Sequence, residues 1–166
     1  MCSQNKNPAK LVGYRPGFLG RIIEVHAIYY HQNWGLDLSF ESQVARELAG
    51  FLAKMNPERD LFQVALAGPS FAGSVVVDGG QENNSARLRW FIVEPSLWGR
   101  GVGGALLKRA GEFAKQAGYD ELFLWTFAGL EAARHLYERA GFALEEELEI
   151  KKWGGDICEQ KYVLRF

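Results

Sequence analysis

The 166 residues are 48% hydrophobic and 13% aromatic, enough for one sizeable core and too few for two comfortable domains. With 23% charged residues and a formal net charge of -1, no nucleic-acid partner and no acidic solvating tail are expected. No apolar run approaches the ~20 residues that span a bilayer, and Cys2 and Cys158 are too isolated for a disulfide framework or a zinc site, so the expectation is a cytoplasmic protein without membrane contact or metal.

Residues 1–9 read as a flexible polar tail without a signal-type apolar segment, and 10–166 as a single domain. Leu11 to Tyr14 predicts a short strand, closed by Pro16-Gly17. Leu19, Ile22, Ile23, His26 and Tyr30 then fall on one stripe, which predicts a helix over 18–32. A second helix starts at Ser39, read as the N-cap, and carries Phe40, Val44, Leu48 and Leu52 until Asn56-Pro57 stops it. Leu61–Ala67 and Phe71–Asp78, parted by Gly68-Pro69, predict a hairpin. The stretch 78–85 is a polar loop. There follow a strand over 87–94, a helix over 103–117 ended by Gly118, a strand over 121–126, a helix over 130–140 ended by Gly141, and strands near 142–150 and 160–166. The pattern predicts an α/β fold: a mixed central sheet of about seven strands flanked by about four helices. Leu122 to Trp125, apolar on both faces, reads as a central strand covered on both sides.

The most informative stretch joins the strand 87–94 to the helix that follows it. Pro95 cuts the strand, and Gly99, Gly101, Gly103 and Gly104 lead into a helix whose inner face is Val102, Leu106, Leu107, Ala110, Phe113, Ala114 and Ala117. The N–H groups of a first helical turn have no intrahelical acceptor, so with the helix dipole they form an anion cradle. Tight strand–helix packing is the other reading of the same glycines. Gly99-x-Gly101-x-x-Gly104 formally matches a dinucleotide fingerprint, but no acid ends the next strand, at Trp125-Thr126. A P-loop would need Lys-Ser or Lys-Thr where Ala105-Leu106 stands.

The segment Val93 to Leu107 resembles motif A of the GNAT superfamily of N-acetyltransferases, and Ala132 to Phe142 is similar to the family's motif B. Tyr14–Gly17, Trp34–Asp37, Phe40-Glu41, Leu124–Thr126 and Trp153 to Gln160 further resemble the acetyltransferase half of proteins that fuse a MarR-type regulator to a GNAT domain; no regulator half stands in this sequence. The resemblance implies a GNAT-like acyl-CoA N-acyltransferase fold and transfer of an acetyl group from acetyl-CoA, a co-substrate, to an amine by direct attack in a ternary complex. It implies a donor site at Ile92, Val93, Trp98, Gly99, Arg100, Gly101, Val102, Gly103 and Gly104. Main-chain groups of Ile92 and Val93 would pair with the pantetheine and polarise the thioester, and the turn 99–104 would hold the pyrophosphate. Tyr137 would be the general acid for the departing thiolate. Two positions depart from the pattern: Trp98 fills the slot for Gln or Arg in motif A, leaving Arg100 to supply charge, and Leu130 fills a slot often held by Asn.

Glu94, at the strand end, reads as proton acceptor or amine anchor, or as a solvated carboxylate. The resemblance implies that the connection between the first two helices walls the acceptor pocket, so Trp34, Asp37, Phe40 and Glu41 read as that wall and suggest a cationic acceptor with an apolar part. Amphipathic packing accounts equally for Trp34 and Phe40. The three histidines receive no role. A small-molecule or peptide amine is the expected partner, and homodimers are common in the family. The alternatives are a non-catalytic acyl-CoA-binding sensor or partner domain, and an oxidoreductase only if a nicotinamide or flavin were found.

Overall fold

A computed structural model describes residues 9–166; the expected tail, apart from Ala9, and Cys2 lie outside the described residues. In chain order the elements are β1 (Lys10–Val12), α1 (Phe18–Trp34), α2 (Leu38–Lys54), β2 (Leu61–Ala67), β3 (Ser70–Asp78), β4 (Ser85–Val93), a short 3-10 turn (Pro95–Leu97), α3 (Val102–Gln116), β5 (Glu121–Phe127), α4 (Glu131–Arg139), β6 (Ala143–Lys152) and β7 (Gly155–Arg165). The strands form one seven-stranded sheet in the order β1-β2-β3-β4-β5-β7-β6. Its pairs are antiparallel except β4 with β5. This is the mixed sheet with four helices that the periodicities predict.

Two cores cover the two faces. On one, α3 and α4 bring Leu106, Leu107, Ala110 and Tyr137 onto Val75, Val77, Leu122 and Leu124. On the other, α1 and α2 bring Ile22, Phe40, Val44 and Leu48 onto Val64, Val76, Trp90 and Phe127. The spacing of these residues at three and four positions along each helix turns one stripe inward.

Three boundaries differ from expectation for physical reasons. The N-cap of α2 is Asp37, whose carboxylate accepts from the Ser39 amide at 2.9 Å; the ionised oxygen displaces Ser39 from that place. The turn between β6 and β7 is Trp153-Gly154, both with positive φ (53° and 83°), a two-residue turn suited to the twist of a hairpin. Strand β7 therefore begins at Gly155, well before Gln160. Strand β6, at the sheet edge, is exposed along nearly its whole length.

The feature that makes room for a site is the junction of β4 and β5. They pair only at Ser85↔Glu121, Ala86↔Leu122 and Arg87↔Phe123 and then diverge. A register shift opposite Ser74–Val76 marks a bulge in β4, where Trp90 has a φ of 45° and its carbonyl accepts from the Ser74 hydroxyl at 2.8 Å. A bulge bends and over-twists its strand, which carries the end of β4 away from β5. It also shifts the alternation by one. Ala86 and Leu88 face α3 before it, Phe91 and Val93 after it, while Trp90 packs into the opposite core.

Candidate active site

The splay opens into a cleft of about 710 Å³ between the end of β4, the start of α3 and the helix α4. The glycines at its floor have separate causes. Gly99 and Gly101 sit at φ 75° and 81°, where a Cβ is strained. A Cβ on Gly103 would stand 2.8 Å from Leu136 Cδ1 and 3.4 Å from Phe91 Cζ, so that glycine lets α3 pack closely. A Cβ on Gly104 would meet nothing within 4 Å, and Gly104 lines the cleft. The first helical bond runs from the Ala105 amide to the Gly101 carbonyl, 3.1 Å, which leaves the amides of Val102, Gly103 and Gly104 without an intrahelical acceptor. Close packing thus accounts for Gly103 and not for Gly104.

Trp98, in the slot of a polar side chain, is half exposed. Its indole N–H donates to the Val93 carbonyl at 3.0 Å and its ring meets Tyr29 edge-on at 6.0 Å, so it ties the loop to the strand end. Ile92 and Val93 separate as well. The Glu94 amide donates to the Ala72 carbonyl at 2.9 Å, and alternation along the ladder directs the Ile92 main chain toward its partner Ser74. Only Val93 turns its amide and carbonyl into the splay, though Ile92 also lines the cleft. Arg100 is exposed and does not line the cleft, whereas Arg139 and His135 on α4 do.

A second cavity, about 150 Å³, lies on the α1/α2 face of the same splay. Tyr30, Phe91 and Tyr137 line both spaces. Tyr137 is buried among Phe91, Phe142 and Tyr162, with ring centroids at 5.8, 6.1 and 5.7 Å. Burial, aided by the Tyr30 phenol, pushes the Tyr137 phenol well above the usual range, against a smaller opposing pull from the Thr126 hydroxyl. Its proton is therefore held at neutral pH. Burial likewise raises Tyr30.

His26 lines the smaller cavity. Its ring stacks on Tyr30 at 6.2 Å and Nδ1 lies 2.7 Å from the Ile22 carbonyl, which as an acceptor requires Nδ1 to carry the proton and leaves Nε2 with a lone pair. Burial lowers its pKa from 6.5 to about 4 against that hydrogen bond, so the ring is neutral. The charged residues of this cavity are Glu47, Arg87, Arg89 and Glu159. None was singled out from the sequence, although Arg87 and Arg89, alternating with the apolar Ala86 and Leu88, carried a signal: arginines on a strand with one buried face share the other face.

Of the residues read as the acceptor wall, Asp37 and Glu41 line neither cavity. Glu94 pairs with Arg21 of α1 and lines neither cavity. Asp37 is fixed as the α2 cap, and its hydrogen bonds from Ser39 hold its pKa below the ordinary value. Glu41 is exposed and lines neither space. The aromatic pair divides: Phe40, buried against Tyr30 (5.1 Å) and Trp153 (5.2 Å), lines the small cavity, and Trp34 lines the large cleft. Trp153 closes the group through a 2.9 Å bond from its indole to Gln43.

This arrangement agrees with what the chain is similar to. The model of the Acetyltransferase (GNAT) family matches residues 21–142. The chain belongs to that family. As a GNAT protein it is 34% identical over 95 residues to N-acetylaspartate synthetase of Danio rerio, covering 57% of this chain and 34% of that protein. The matched part is about a third of the length of such curated relatives. Among solved structures, ribosomal-protein-alanine N-acetyltransferase from Brucella melitensis superposes with a TM-score of 0.77 at 16% identity, covering 95% of this chain and 99% of that one. A Bacillus subtilis acetyltransferase in complex with CoA gives 0.68 at 19% identity, covering 96% and 99%. Both show the fold.

Proposed function

We propose that this GNAT protein transfers the acetyl group of acetyl-CoA to the amine of a small-molecule or peptide acceptor, by direct attack with both substrates bound. The observation that carries this reading is the meeting of two cavities at Tyr30, Phe91 and Tyr137. A sensor of acyl-CoA needs the larger cleft alone; a transferase needs a second space that reaches the same point.

The cradle fits a pyrophosphate: unpaired amides at Val102, Gly103 and Gly104, open space above Gly104, and Arg139 on the facing helix. Acetyl-CoA supplies an activated thioester. The Val93 amide, directed into the splay, donates to the carbonyl oxygen on which negative charge grows. Phe91 and Tyr30 exclude water from the junction. Tyr137, protonated at neutral pH, delivers its proton to sulfur as the carbon–sulfur bond breaks and the carbon–nitrogen bond forms. The amine gives up a proton in turn, which restores the phenol. Placing both substrates in one geometry provides much of the acceleration, and no covalent intermediate on the protein is required.

The test is a panel of amines incubated with acetyl-CoA and protein, with free thiol as the readout. Thiol release that requires both an amine and the protein is expected. A protein that binds acetyl-CoA in a calorimetric titration yet releases no thiol with any amine would be the sensor instead.

A further inference from the structure

The small cavity has a charge pattern that the transfer reaction does not use. Arg89 is matched: its guanidinium pairs with Glu47 and, at 3.3 Å, with Asp78, and it lies 4.1 Å from the Trp90 ring centroid. Arg87, two residues back and on the same face of β4, forms no ion pair among the described residues, and its Nε is buried without a hydrogen-bond partner. It belongs to the last β4–β5 pair before the strands part, so it stands at the closed end of the splay. Burial lowers its pKa from the ordinary arginine value, with a further push from Arg89, against the pull of Glu47, Asp78 and Glu159; a guanidinium nonetheless keeps its charge in proteins. Arg87 is only partly buried, with Nε alone enclosed without a partner, so its terminal nitrogens stay open to the cavity for an anion.

Glu159 of β7 lines the same cavity. It is paired in register with Phe127 and shares the α1/α2 face with that ring and with Ile157. Glu159 likewise forms no ion pair among the described residues, although it lines the same cavity as Arg87. Besides the matched Arg89–Glu47 pair, the cavity thus presents one cation, Arg87, at its closed end and one further anion, Glu159. Its size is small: an engineered apolar cavity of about 150 Å³ holds a benzene.

Resting on the acetyl-transfer reading, we infer that the acceptor is an amino acid, a small molecule carrying a carboxylate as well as its amine. Arg87 receives the carboxylate at the closed end of the cavity, in the bidentate geometry that suits a guanidinium. Glu159 attracts the ammonium form on entry, and the amine is left on the side of the junction where Tyr137 stands. The acidic wall read from Asp37 and Glu41 favours a cationic acceptor; the observed cavity favours a zwitterion.

The experiment compares free amino acids, both α- and ω-amino, with their carboxamides in two readouts. The first is thiol release from acetyl-CoA. The second is the thermal midpoint of the CoA-loaded protein with each compound, which needs no turnover. The expected result is that wild type prefers an acid to its carboxamide by about 30-fold or more in kcat/KM, the loss typical of an unpaired buried charge. Arg87→Gln should erase that ratio while acetyl-CoA affinity stays within about twofold, and that affinity also reports that the variant is folded. If Arg87→Gln does not fold, the wild-type ratio decides. Equal use of acids and carboxamides by wild type, or a preference that survives in folded Arg87→Gln, overturns the inference and leaves acetyl transfer standing. Midpoints raised by acids alone, with no thiol released from any amine, would uphold the anion site and overturn acetyl transfer.

Discussion

At the scale of single residues, Tyr137 and His26 carry separate predictions. Tyr137→Phe keeps the ring that packs on Phe91 and Tyr162 and removes the hydroxyl. The expected result is a fall in kcat of ~10² or more with acetyl-CoA affinity unchanged, the usual worth of a general acid; a kcat within about twofold of wild type when chemistry limits turnover would make the tyrosine structural. His26 is held neutral by burial, its pKa falling from 6.5 to about 4. Unfolding then takes up a proton between those values, so stability declines as pH falls through that window, by about 3 kcal/mol in all. Urea midpoints at pH 7 and pH 5 should differ by less in His26→Leu than in wild type; an equal difference would assign the acid sensitivity to the carboxylates. The tyrosine was legible in the sequence through the resemblance of Ala132 to Phe142 to the family's motif B, with helical spacing turning it to the sheet. The role of Glu94 was not, because the bulge at Trp90 shifts the alternation of the strand end, and a one-residue slip cannot be seen in a list of side chains. Arg87 and Arg89 precede the bulge, and their alternation with Ala86 and Leu88 was a legible signal of a shared face.

Among the elements, the start of α3 gives the cleanest test of the phosphate cradle. Gly101→Val would add strain at φ 81° to any steric block, so a loss of binding there has two causes. Gly104 has ordinary helical backbone and open space where a side chain would stand. Gly104→Val should therefore leave stability within about 1 kcal/mol, since glycine is itself a poor helix residue, and should weaken acetyl-CoA by about tenfold or more as two phosphate contacts are lost. Unchanged affinity in a calorimetric titration would reduce this glycine turn to strand–helix packing. The helices were read from the sequence to within a few residues at each end, because their apolar stripes are strong and Gly118 and Gly141 mark two of the ends. The last hairpin was read less well: Trp153 takes a left-handed conformation that bulky residues seldom adopt, so Trp-Gly-Gly looked like a loop rather than a two-residue turn.

For the whole molecule, the sheet is continuous through only three residue pairs where β4 meets β5. The family and its mixed sheet were legible because glycine turn and tyrosine helix occur in order on one chain; the smaller cavity was not, because its walls come from β4, β5, β7, α1 and α2 at once. Acetyl-CoA bound in the splay should bridge the two halves. The amide of Val93, free of a strand partner on that side, should exchange with deuterium quickly in the free protein and more slowly in the complex. An exchange rate that does not change on saturation would mean that the thioester arm binds elsewhere. The same narrow junction bears on how the chain acquires its shape. The strands on either side are joined largely by hairpins of neighbouring sequence, β2 with β3, β3 with β4 and β6 with β7, which close rapidly, whereas the parallel pair must wait for α3 to cross over. The two halves should therefore gain order early and separately, and the seam between them last. The place where catalysis is proposed is then the final part of the protein to form.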